Sequence, residues 1–156
     1  LLCLSREDTF LSLALHLRRH TRRLTLKPII DISELLKVNT DKLGWLYIIK
    51  LAKNNHIITT VYFSLYIIKE LLDTPVPFKI FNESRPNIIK ATLIQLTINK
   101  HNFFTLKKWQ GIFLRFLLFD SLRDFIVYLW RVSFLERFVI NNFSQKPRQM
   151  LPVKFL

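Results

Sequence analysis

Two histidines four residues apart, His16 and His20, stand in a run of arginines, Leu11–Lys37: LSLALHLRRHTRRLTLKPIIDISELLK. Spacing of four puts both imidazoles on one face of a helix. Asp31 follows eleven residues after His20, far enough to sit on a second helix that returns antiparallel to the first. Three chemistries compete for this set. A histidine donating to Asp31 would pin the two helices together. Anion or nucleotide contact would draw on Arg18, Arg19, Arg22 and Arg23. A zinc or iron site would use the two imidazoles and the carboxylate. The residue after His16 is Leu17, so the Glu of an H-E-x-x-H motif is missing. The structural reading therefore comes first, anion contact second and metal third. The residues singled out for nucleotide or partner contact are His16, Arg19, His20, Arg23 and Asp31. No residue is assigned a catalytic or metal-binding role.

The elements that must position these residues read as helices throughout. Ser5-Arg6-Glu7-Asp8 fits a capping box. Phe10, Leu11, Leu13, Ala14 and Leu17 follow at spacings of three and four, which make one buried face. Pro28 suits the first turn of a second helix, where its missing N–H costs nothing. Ile29, Ile32, Leu35 and Leu36 form its stripe, and Asn39 ends it. A third helix, capped by Thr40 or Asp41, runs through Trp45, Ile48, Ile49 and Ala52 to Asn54-Asn55. A fourth, capped by Thr59 or Thr60 and reaching Leu72, is apolar nearly all round and should be central.

Residues 74–85, with Thr74-Pro75-Val76-Pro77, predict an extended linker. A fifth helix opens at Ser84-Arg85-Pro86 and runs to about Asn99. A sixth covers about Leu106–Phe119, and a seventh starts at Ser121 and continues to about Asn141. The fold class is all-α, a bundle or array of about seven helices with no sheet. The expected organisation is a helical subdomain over 1–78 with the His/Asp motif, a basic and aromatic-rich subdomain over 79–145 packed on it, and a tail over 146–156.

Composition sets the outer limits. The 156 residues are 50% hydrophobic, with 14 Phe and only 2 Gly. Such a chain is too apolar for disorder and too poor in glycine for a P-loop or Rossmann turn. One cysteine, Cys3, excludes a disulfide scaffold and is expected reduced in a core. No stretch reaches the ~18–20 apolar residues of a membrane span, and a cytoplasmic location is expected. The formal charge is +13. Residues 1–78 carry 11 basic and 7 acidic side chains, whereas residues 79–156 carry 13 and 4. The basic excess invites a phosphate-rich partner. In the second half Phe113, Arg115, Phe116, Arg123, Phe125, Tyr128, Trp130, Arg131, Phe134, Arg137 and Phe138 interleave aromatics with bases. The helical period of Phe125, Tyr128, Leu129, Val132, Leu135, Phe138 and Val139 favours core over base stacking, so nucleic acid is the less favoured partner.

Leu15-His16, His20, Arg23-Leu24, then Asp31-Ile32 and Leu35-Leu36 resemble the post-catalytic helices of an uncharacterised nucleotidyltransferase family. Trp45 after Asp41, and Leu71-Leu72 before Pro75-Val76-Pro77, extend the resemblance, which is best over residues 11–77. Lys27-Pro28-Ile29-Ile30 departs from it, since the family usually carries aromatics there. The resemblance implies a nucleotidyltransferase-fold palm holding a Gly-Ser turn, an Asp-x-Asp pair and Mg²⁺. Gly44 and Gly111 are followed by Trp45 and Ile112, and no Asp-x-Asp occurs. Asp120 and Asp124, with Arg123 between, are explained by helix capping or an ion pair. The missing motifs and the start at Leu1 without Met predict that the palm lies upstream. The expected function is a C-terminal accessory helical domain that shapes the nucleotide or acceptor site with that palm. The expected partners are the palm and a nucleotide, with no cofactor held by this chain. Two other readings stay open: a basic helical module for nucleic acid or an anionic surface, and a truncated product with no independent activity.

Overall fold

The computed structural model describes residues 4–21, 25–39, 42–98 and 107–130. Its helices are α1 (Arg6–Arg19), α2 (Leu26–Asn39), α3 (Trp45–Asn54), α4 (Ile58–Leu72), α5 (Phe78–Ser84), α6 (Ile88–Thr97) and α7 (Lys108–Leu117). An eighth, α8, covers residues 122–130. No strand occurs among the described residues. The chain divides into two units, Leu1–Ser121 and Leu122–Leu156.

The first unit is built around α4, which packs on α1, α2, α3 and α5. Its run Thr59–Leu65, with Ile67 and Ile68, is buried, so the helix without a polar face is the central one. Phe10, Leu17, Ile29, Ile32, Leu36 and Ile48 close on it from α1, α2 and α3, and Ile80, Ile94 and Leu114 belong to the same core. Buried polar groups are paired: Ser33 and Thr74 share a hydrogen bond of 2.7 Å, and Gln95 donates to the Tyr62 hydroxyl at 3.0 Å.

Several helix ends follow the sequence. Ser5 caps α1, its hydroxyl accepting from the Asp8 amide at 3.0 Å and donating to the Asp8 carboxylate at 2.8 Å. Pro28 sits in the first turn of α2. The Asn39 side chain donates to the Leu35 carbonyl at 3.1 Å, closing that helix. Asp73 ends α4 in the left-handed region at φ 48°, and the Thr74 amide returns to the Ile68 carbonyl at 3.3 Å.

Other ends differ. The stretch 74–85, expected to be extended and to separate two subdomains, lies inside the first unit and contains α5. Pro77 holds φ at −57° ahead of this helix, a proline geometry already suited to helix entry. Ile80 and Ser84 are buried, and Phe81 meets the Tyr62 ring at 5.1 Å. The cap of α6 is Asn87, accepting from the Ile89 amide at 3.1 Å, rather than Ser84. Gly44 stands at the N-cap of α3; Thr40 and Asp41 lie outside the described residues, as do Cys3 and 131–156. In α7, Leu114 and Leu117 are buried, with Leu118 just beyond its end, while Trp109, Ile112 and Phe113 are exposed. Within α8, Phe125 and Tyr128 are half-buried, but Leu129 is exposed and does not join the expected core stripe.

Candidate functional site

The last turn of α1 sorts the arginine cluster by helical phase. Phe10, Ala14 and Leu17 face the core. At about 100° per residue, His16, Arg19 and His20 fall on the far side, whereas Arg18 falls at the edge of the buried stripe. His16, Arg19 and His20 are exposed accordingly. The two imidazoles lie 4.4 Å apart, centroid to centroid, inclined at 44°. His20 is also the C-cap; its amide donates to the carbonyls of His16 and Leu17, both at 3.2 Å. Its imidazole, though exposed, is held below the ordinary histidine range, first by partial desolvation and then by the charges of His16, Arg19 and Arg115.

Arg18 turns inward. It donates to the Thr60 hydroxyl at 3.5 Å and lies 4.9 Å over the Phe119 ring. Arg115, on α7, crosses to the end of α1. Its Nε donates to the Thr21 hydroxyl at 3.3 Å, and its Nη2 donates to the Arg19 carbonyl. The C-terminal carbonyls of a helix carry partial negative charge, so this guanidinium caps α1 as well as tethering it.

Asp31 does not join the histidines. It is exposed on α2, on the opposite side of that helix from Ile29, Ile32, Ser33 and Leu36, the buried face. Arg22 and Arg23 lie outside the described residues. The candidates that the structure brings together are thus His16, Arg19 and His20, joined by Arg115, which the sequence had not connected to them.

Two acidic groups, Asp120 and Glu7, bond the starts of other helices. Asp120 accepts from the Thr59 amide at 3.3 and 3.2 Å through its two oxygens, and also from the Thr59 hydroxyl. It therefore caps α4 from 61 residues away, a role expected of Thr59 or Thr60 themselves. Lys90 completes the group. Its ammonium donates to the Phe119 carbonyl at 2.7 Å and pairs with Asp120 at 3.5 Å. Burial lowers the Lys90 pKa, and Asp120 partly restores it. Glu7 serves α3 in the same manner, its carboxylate accepting from the Gly44 amide at 2.8 Å. That bond is the main cause holding the Glu7 pKa down. These acids do not fit a magnesium site, and no group of three His, Cys, Asp or Glu suited to a metal occurs among the described residues. No helix among them is long and apolar enough to cross a membrane.

The exposed edge of α1 and helices α1–α4 fall in a segment that resembles a protein family. Residues 1–73 match an uncharacterised nucleotidyltransferase family. The match runs through α1–α4 and ends at Asp73, the left-handed residue that closes the central helix. The second half supplies Lys90, Arg115 and Asp120 from beyond the matched segment. No curated protein and no solved structure matches the chain.

Proposed function

We infer that this chain is an accessory α-helical domain of a nucleotidyltransferase, which shapes the nucleotide or acceptor site beside a catalytic palm. The observation that carries the reading is the family match over residues 1–73, the stretch that holds the exposed His16, Arg19 and His20. The palm supplies the Gly-Ser turn and the acidic ligands for Mg²⁺. This chain supplies a rigid basic edge on α1, braced by Arg115. Metal chemistry would fall to the palm; in this chain Asp120 and Glu7 bond the amides of Thr59 and Gly44.

The test compares the 156-residue chain with a longer polypeptide that adds a palm carrying the Gly-Ser and Asp-x-Asp motifs. The expected result is magnesium-dependent transfer by the longer protein and none by the chain alone. His20→Ala should lower transfer in the longer protein while leaving its melting temperature unchanged. Transfer by the 156-residue chain alone would sink the reading. If the longer protein is inactive, a basic binding module takes its place, and steep loss of nucleic-acid binding with salt is its signature.

A further inference from the structure

The edge of α1 carries a row of cationic or protonatable groups that form no bond with a described carboxylate. His16, Arg19 and His20 occupy positions i, i+3 and i+4 of one exposed face. Ion pairs form away from this face, at Lys37–Glu34 and Lys90–Asp120. A helix C-terminus ordinarily repels anions. Here that repulsion is reversed, because Arg115 places its guanidinium on the Arg19 carbonyl and the last turn is itself basic. A divalent cation is the poorer occupant. It would have two imidazoles, no carboxylate, and the charges of Arg19 and Arg115 beside it.

We propose that His16, Arg19 and His20, with Arg115 crossing from α7, form a binding site for an oligophosphate, the triphosphate of a nucleotide. This deepens the proposed function and rests on it for the identity of the ligand. Side chains three and four apart on a helix stand about 5–6 Å from one another. A row of that length suits linked phosphates better than a single one. The site also joins the two halves of the first unit: three of its groups lie in the segment that matches the family, and Arg115 lies beyond it. Bound phosphate favours a protonated imidazole, so binding should oppose the lowering of the His20 pKa.

The experiment follows histidine NMR signals of the full chain during titration with inorganic tripolyphosphate, without magnesium and at constant ionic strength. The His16 and His20 signals should shift saturably, and His20 should titrate at higher pH than in the free chain, while the His56 signal, beyond the C-terminal end of α3, should not move. ATP should compete with tripolyphosphate. Arg19→Gln should weaken binding about fivefold, the scale of a partly screened charge contact; His20→Gln is the second variant if that one fails to fold. Equal shifts at His56, or no saturable shift at all, overturn the proposal. So does a short single-stranded RNA that displaces tripolyphosphate at a lower concentration of phosphate groups. If tripolyphosphate fails to bind while His20→Ala still impairs transfer in the longer protein, the edge faces the palm; this inference then falls and the proposed function stands. Tripolyphosphate binding to a chain whose longer form transfers nothing has the opposite meaning.

Discussion

Two charged regions of the first unit are built on opposite plans. Around Asp120, a carboxylate, an ammonium, the Thr59 hydroxyl and the start of α4 satisfy one another behind partial burial. At the end of α1, His16, Arg19 and His20 stand in solvent, and two of them crowd each other at 4.4 Å. The first arrangement stabilises the fold; the second leaves like charges together without a described counter-ion. A high basic count therefore says little until each charge is sorted into paired or unpaired. Arg18 and Arg19, adjacent in sequence, fall on different sides of that division because a helix turns about 100° between them.

Variants can separate the two regions by stability. Asp120→Ala should have the largest effect, about 2–3 kcal/mol by urea denaturation, because it orphans the Thr59 amide and takes the carboxylate away from the Lys90 ammonium. A loss no greater than that of a surface substitution would mean the Asp120 cluster is not a stabilising unit. Arg115→Ala should come next, near ~1–2 kcal/mol, through the lost bonds to Thr21 and Arg19. Arg115→Lys should recover only part of this, since an ammonium lacks the fork that reaches both oxygens.

The outward edge should respond to pH more than to truncation. The His20 pKa is lowered in the fold from 6.5. The unfolded chain therefore takes up its proton first, and folding stability should be full above pH 6.5 and fall as pH drops through the folded value. His20→Gln should remove that slope from melting curves recorded across the range. Glu7 behaves likewise at lower pH, since its pKa is depressed from 4.5. Its contribution is present above 4.5 and is lost on acidification, and Glu7→Gln should abolish the loss. Smallest of all, Arg19→Gln should change stability by no more than about 0.5 kcal/mol, as exposed substitutions do. A large loss there would erase the distinction between the two regions.

Local features were legible where their physics is local. Ser5 caps α1 because its hydroxyl reaches three residues along, and α4 is central because it lacks a polar face. Helix α5 was hidden, since Thr74-Pro75-Val76-Pro77 reads as extended and only seven residues follow in the helix; burial of Ile80 and the Tyr62–Phe81 contact hold it in place. The His16–His20 pairing was legible from their spacing. Asp31 was excluded from it only by the packed structure, which leaves it exposed on α2.

The sequence by itself determined the all-helical class, the central apolar helix, the first-helix cap and the shared face of the two histidines. Each depends on residues within a few positions of one another. Only the tertiary structure decided that Asp120 caps α4, that Lys90 joins it, and that Arg115 braces the basic edge of α1. Those bonds span 61, 30 and 94 residues. Partners so distant are chosen by how the helices pack, and no periodicity along the chain records that choice.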